Sequence, residues 1–218
     1  IKFVWLNPKK ILLIRGSGVN LSKFTNLKET NSITTICCAS RLLREKGIFD
    51  FQSAARIIKK KGIIAKFLLA GDLDQDNPTS LNDQDLQNII KEKVVEVMGY
   101  QEDIPALYAR SHIICLPSFY GEGLPKSLIE AAAASRAVVT TDIPGCRDAI
   151  IPNKTGLLVP AKNPQKLADA LQWLIENPEA RNGMGKAGRE FAEKEFPIEK
   201  IVQCHMNIYQ ELLINKFK

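Results

Sequence analysis

Short apolar runs of strand length alternate along this chain with longer stretches whose apolar positions repeat at the helical period. Ile33 to Ala39, Ala65 to Ala70, Val94 to Met98, Ile113 to Leu116, Ala137 to Thr140 and Gly156 to Val159 read as strands. Between them, Ile48 to Lys61 carries Ile48, Phe51, Ala54, Ala55 and Ile58 on one helical face. It closes on Lys59, Lys60, Lys61 and Gly62, the cations and glycine expected at a helix end. Leu81 to Lys91, Ile104 to Ala109 and Pro125 to Ala134 read as further helices, with Pro125 as the first helical residue of the last. The C-terminal part is helical throughout. Asn163 and Pro164 fit the cap and first position of a helix reaching Glu176, Pro178 opens one towards Phe191, and Pro197 opens a last one. That last helix has apolar residues at Ile198, Ile201, Val202, Ile208, Tyr209, Leu212 and Leu213.

Strands alternating with helices predict an α/β fold, a doubly wound parallel sheet covered on both faces. Ligands of such sheets bind outside the carboxyl ends of the strands. The loops of interest are therefore Ser40 to Gly47, Gly71 to Ser80, Gly99 to Asp103 and Pro117 to Leu124. Residues 1–30 stand outside the alternation. Ile11 to Ile14 is expected to be a strand and Gly16-Ser17-Gly18 a turn, within the tail of a preceding domain and a linker. The sequence opens on Ile1, and Ile1 to Leu6 carries Lys2 and no small-residue cleavage site, so a chain cut from something longer is expected. Trp173 and Met184 fit core positions, His112 a strand edge and His205 a helix face.

With 45% hydrophobic and 25% charged residues, the composition excludes a disordered chain, a collagen and a coiled coil. The longest apolar stretch, Ile63 to Ala70, is broken by Lys66 and is far short of a membrane span. Five cysteines, an odd number without a Cys-x-x-Cys spacing, point to reduced thiols in a cytosol-like compartment. Cys37 and Cys38 are adjacent on a strand and should face opposite sides of the sheet. The net charge of +6 suits an anionic partner: a phosphate-bearing small molecule, acidic lipid headgroups or nucleic acid. It is equally consistent with a basic solvated surface.

Two segments carry candidate chemistry. Gly121-Glu122-Gly123-Leu124-Pro125-Lys126-Ser127-Leu128-Ile129-Glu130 follows a strand and starts a helix whose first residues are poor side-chain caps. The free N–H groups of that helix can take a phosphate as their cap. Glu122 and Glu130 then approach one pocket from different depths, although two glutamates in isolation are more often solvated. Ser40-Arg41-Leu42-Leu43-Arg44-Glu45-Lys46-Gly47 places Arg41 and Lys46 at the end of the first strand of the sheet, with Arg44 and Glu45 read as solvated. Alone, this is an ordinary charged loop. Asp72-Leu73-Asp74-Gln75-Asp76 could be read as a divalent-metal site, but Asn77 and Pro78 stand where a calcium loop needs glycine. It is read as a flexible polar loop bordering the cleft. There is no P-loop, no dinucleotide fingerprint, no zinc spacing and no RNA-binding aromatic strand.

In order along the chain, Arg41 with Lys46, Gly99-Tyr100 with Asp103, Leu116-Pro117-Ser118, Glu122 and Glu130, Thr141-Asp142-Ile143-Pro144-Gly145-Cys146 and Asn153-Lys154-Thr155-Gly156-Leu157-Leu158-Val159-Pro160 resemble the C-terminal lobe of retaining glycosyltransferases of the GT-B fold, group one (family four). The likeness covers about Lys10 to Leu213. It implies a Rossmann-like lobe at 31–195, an N-terminal lobe outside this sequence whose tail is 1–30, and a helix at 196–218 that crosses back to that lobe. It implies transfer of a sugar with retention from a nucleotide sugar, UDP-linked by preference, to a lipid-linked or saccharide acceptor, with no metal or other cofactor and no nucleic-acid partner. The motif Phe119-Tyr120-Gly121-Glu122-Gly123-Leu124-Pro125 is similar to that of transferases building bacterial surface polysaccharide. This implies a cytoplasmic place with peripheral contact at the inner membrane face, and little or no transfer by this chain alone.

By the same resemblance, Arg41 and Lys46 match cations on the donor diphosphate, Glu122 lies at the transferred sugar, and Glu130 accepts from the ribose hydroxyls. Gly123 and Leu124 match backbone at the phosphates and sugar, and Gly99 and Tyr100 the surroundings of the base. Asp148 replaces a common Glu, and Ser135-Arg136-Ala137 a common Gly-Arg-Pro. A non-catalytic sugar-nucleotide-binding module and a GT-B epimerase or phosphorylase lobe are the alternatives.

Overall fold

The computed structural model describes residues 11–25, 28–30 and 32–216; the readings of Ile1 to Leu6 and of the first ten residues of the 1–30 segment lie outside the described residues. Six strands run β1 Thr35–Ala39, β2 Lys66–Ala70, β3 Glu96–Gly99, β4 Ile113–Leu116, β5 Ala137–Thr141 and β6 Gly156–Val159. The helices are α1 Ile48–Lys60, α2 Asp83–Glu92, α3 Ile104–Ala109, α4 Lys126–Ala133, α5 Pro164–Glu176, α6 Pro178–Glu195 and α7 Ile198–Lys216. Every pairing is parallel and the order across the sheet is β3-β2-β1-β4-β5-β6. The doubly wound parallel sheet expected from the pattern is the architecture observed.

β1, β4 and β5 are buried along their whole length, as interior strands covered on both faces must be. One face packs under α1, α2 and α5 through Ile48, Phe51, Ile58, Ile89, Leu167 and Leu171. The other packs under α3, α4 and α6 through Leu107, Tyr108, Leu128, Ile129 and Ala192. Cys38 belongs to the first face and Cys37 to the second, as strand alternation requires. Each buried Ile, Leu or Phe contributes roughly 1.5–3 kcal/mol. Burial raises the thiols of Cys37, Cys38 and Cys115, which leaves them unreactive core residues.

Four local expectations change. Ile11 to Ile14 has no strand; near that end, Val19 instead forms an isolated bridge with Pro197 and accepts the Ile198 N–H. Pro125 is the cap of α4 rather than its first residue, because its ψ of 123° is extended. Trp173 is 42% exposed, since α5 buries Leu167, Ala168, Leu171 and Leu174 and turns Trp173 away. His112 is buried rather than at an edge: Nδ1 accepts the Thr35 N–H at 3.0 Å, so Nε2 carries the proton and donates to the Thr30 carbonyl at 3.0 Å. Met184 is a core residue.

The segment 28–30 is pinned to the α/β body by polar groups. Buried Arg136 donates to the carbonyls of Lys28, Tyr108 and Ala109. Arg181 pairs with Glu29 at 2.8 Å, with both side chains under 10% exposed, and donates to the Leu174 carbonyl. Removing one member of a buried pair strands the other charge, at a cost of about 3–5 kcal/mol. Glu29→Ala is therefore expected to lower the melting temperature by about 6–20 °C. Thermal unfolding followed by circular dichroism checks this, and an unchanged midpoint would show that the pair contributes nothing.

Candidate active site

β1 leads into α1 on one face of the sheet and β4 leads into α4 on the other. These two strands are neighbours, so the chain diverges above and below the sheet between their carboxyl ends. A crevice opens there, at the switch point where such sheets bind ligands. The loops that flank it are Ser40 to Gly47 after β1 and Pro117 to Pro125 after β4, the two segments singled out from the sequence.

Glycine lets the loops come close. Gly47 has φ +74°, and a Cβ on it would stand 2.0 Å from the Pro117 carbonyl oxygen. Gly145, at φ +82°, would place one 1.7 Å from the carbonyl oxygen of Gly123. L side chains rarely take either backbone conformation. The Glu45 carbonyl accepts the Phe119 N–H at 2.9 Å and lies 3.0 Å from the Ser118 hydroxyl. The Thr141 hydroxyl donates to the Ser118 carbonyl.

Lys46 Nζ stands 2.5 Å from Glu122 Oε1, with both side chains less than 20% exposed, and the Ser118 hydroxyl stands 2.8 Å from the same oxygen. Arg41 Nη1 pairs with Asp74 at 2.7 Å on the more exposed side of the crevice. Lys126 Nζ reaches Glu130 at 3.6 Å, one turn apart on α4. No side chain caps the start of α4 among the described residues, as its sequence suggests. A recess of about 310 Å³ is lined by Arg41, Lys46, Glu122, Leu124, Lys126 and Ser127. A wider cavity of about 960 Å³ adjoins it and shares Ser40, Arg41, Lys126 and Ser127. Asp72, Asp74, Tyr100, Gln101 and Glu130 line only the wider one.

Of the residues singled out, Arg41, Lys46, Glu122, Glu130, Leu124 and Tyr100 thus border one continuous space. Gly123 and Gly99 do not line it. Gly123 is exposed and its carbonyl packs against Gly145, while the Gly99 carbonyl accepts the Gly71 N–H at 2.8 Å and holds the neighbouring loop. Asp148 accepts the Gly145 N–H at 3.3 Å, a supporting rather than a lining position. Sequence reasoning missed the roles of Asp74, Ser118, Lys126 and the Glu45 carbonyl. Arg44, read as solvated, pairs with Asp85 and lies over the Phe49 ring. Among the described residues no three His, Cys, Asp or Glu side chains gather as metal ligands. The recess thus joins Arg41, Lys46 and the start of α4, a setting that suits an anion, and opens into a wider cavity bordered by Tyr100.

Comparison with known proteins fits this geometry. Residues 20–191 match the family described as "Glycosyl transferases group 1". A Campylobacter jejuni protein, "N,N'-diacetylbacillosaminyl-diphospho-undecaprenol alpha-1,3-N-acetylgalactosaminyltransferase", is 29% identical over 96% of this chain and 57% of its own length. An Escherichia coli protein, "UDP-Gal:alpha-D-GlcNAc-diphosphoundecaprenol alpha-1,3-galactosyltransferase", is 26% identical over 99% of this chain and 58% of its own. A glycosyltransferase structure from Rickettsia africae superposes with a TM-score of 0.81 at 23% identity, over 95% of this chain and 59% of that one. The chain spans somewhat over half the length of the curated relatives it matches, and its fold is that of the C-terminal GT-B lobe.

Burial lifts the Glu130 carboxyl above its ordinary value, and Lys126 offsets this only in part. A raised carboxyl binds its proton more tightly in the folded state than in the unfolded one, so stability falls as pH rises through the folded value. Below the ordinary value near 4.5 the penalty is absent. Glu130→Gln is therefore expected to melt higher than the parent chain at pH 7, with the gap closing as pH falls to 4. Melting curves across that range check it, and a variant that melts lower at pH 7 contradicts it.

Proposed function

The chain belongs to the glycosyl transferases group 1 family, and from that membership we propose that it is the donor-binding half of a retaining glycosyltransferase. It takes a nucleotide sugar, a UDP-sugar first, and its sugar goes to a lipid-linked or saccharide acceptor. The observation that carries the proposal is the meeting of Arg41, Lys46 and the uncapped start of α4 around one recess that also holds Glu122. Residues 31–195 form the donor lobe. Residues 1–30 are the tail of the other lobe and a linker, and 196–218 the returning helix.

As the bond between the anomeric carbon and the phosphate oxygen breaks, the electron pair leaves with the nucleoside diphosphate and positive charge develops on the sugar ring. Lys46, the α4 N–H groups and Arg41 once it has turned to the bound diphosphate answer the negative charge. No metal ion is needed for that task. Glu122, anchored by Lys46 and Ser118, faces the ring, and Leu124 packs beside it. Glu130 takes the ribose hydroxyls, with Tyr100 next to the base. The acceptor hydroxyl attacks from the face the diphosphate leaves and passes its proton to the departing phosphate oxygen, which keeps the configuration. The undecaprenol-linked acceptors in the names of two relatives support a lipid-linked acceptor here. No helix among the described residues is long and apolar enough to cross a membrane, and the net charge of +6 suits peripheral contact with an anionic inner membrane face.

The test is calorimetric titration of UDP and UDP-sugars. Loss of one charge-assisted contact is worth about 1.5–3 kcal/mol, so Arg41→Ala is expected to weaken UDP binding about ten-fold or more. Unchanged affinity would remove Arg41 from the site. The 218 residues alone are expected to bind UDP and transfer little or no sugar, and robust turnover contradicts the half-enzyme reading. With both lobes present, Glu122→Gln is expected to abolish most transfer, and undiminished transfer would exclude Glu122 from catalysis.

A further inference from the structure

Three cations at the crevice rest on carboxylates: Lys46 on Glu122, Lys126 on Glu130, and Arg41 on Asp74. The first two carboxylates belong to the proposed sugar and ribose contacts. Asp74 has no such task. It lines the wide cavity and not the recess, and it holds Nη1 of Arg41, a residue that borders both.

The position of Asp74 is set by backbone. The loop 71–80 is laced to the loop 40–44 through Leu42 N–H to the Asp72 carbonyl at 2.9 Å and Arg44 N–H to the Thr79 carbonyl at 2.8 Å. The Asp74 N–H donates to the Ser80 hydroxyl at 3.0 Å, and the Asp74 carbonyl accepts the Asn77 N–H at 2.8 Å. The carboxylate is thus held opposite Arg41 by the fold, while the Arg41 side chain, 62% exposed, stays free to leave.

We propose that Asp74 is a built-in competitor of the donor diphosphate: it holds Arg41 in the empty site, gives it up when a nucleoside diphosphate binds, and takes it back as the product leaves. This rests on the donor-binding reading above. An exposed ion pair holds its partner by a factor of about two to five. Apparent affinity falls by the fraction of the chain in which the cation is available. Asp74 therefore lowers affinity for the diphosphate and eases release, while Glu122 and Glu130 remain in place.

The test is UDP titration of the 218-residue chain and its Asp74→Asn, Arg41→Ala and doubly substituted forms at fixed ionic strength, with melting temperatures as a control for folding. The expected result is UDP binding about two- to five-fold tighter in Asp74→Asn, slower UDP dissociation, and no tightening when Arg41 is already alanine. Equal or weaker UDP affinity in Asp74→Asn overturns the proposal and leaves the donor-binding reading intact. Tightening that persists without Arg41 also overturns it, since the effect would then be a general loss of negative charge. Absence of UDP binding in every form overturns both readings.

Discussion

Two parallel strands that lie side by side, and whose following helices leave on opposite faces, cannot close the space between their carboxyl ends. In this chain the strands are β1 and β4, and the constraint decides where everything else goes. The chain arrives at the crevice twice, once through Arg41 to Gly47 and once through Pro117 to Pro125. The Glu45 carbonyl and Gly47 bring the two arrivals within hydrogen-bonding distance. The start of α4, without a side-chain cap, borders the same recess as Arg41 and Lys46, a setting that suits an anion.

The charges in the crevice are arranged for exchange as well as attraction. Three ion pairs line its walls: Lys46 with Glu122, Lys126 with Glu130 and Arg41 with Asp74. The pairs differ in burial. Lys46 and Glu122 are shielded and gain from a lowered dielectric, whereas Arg41 and Asp74 meet in solvent, where a pair is weakly held. Glu130 is as enclosed as Glu122 and raised by its burial, while its partner Lys126 is exposed. A site that held a diphosphate with every charge buried would bind tightly and release slowly. On the proposed donor-binding reading, this grading of burial gives a firm grip at Lys46 and a looser one towards solvent at Arg41.

The elements of the sheet were legible because the strand and helix periods agree with the fold nearly everywhere; Ile113 to Leu116 and Ile104 to Ala109 have the same bounds in sequence and structure. The site was legible for a related reason. Residues that follow strands in a parallel sheet share one edge, so loop position alone brings Arg41, Lys46 and Glu122 together. The illegible part consists of contacts between segments far apart in sequence. Asp74 opposite Arg41, Glu29 under Arg181 and the buried His112 each depend on a neighbour that local pattern does not carry. Trp173 misled because helical period shows which residues can share a face and not which face has a partner. Gly99 and Gly123 show contacts to neighbouring backbone that their sequence position does not reveal.

A crystal structure of the chain soaked with UDP addresses the central claim without assuming any activity. Both phosphates are expected in the recess between the loops, within hydrogen-bonding distance of Lys46, the Arg41 guanidinium and the backbone N–H groups of Lys126 or Ser127, with the base over Tyr100. Density for UDP anywhere else on the molecule, with the recess filled only by water, would contradict the account.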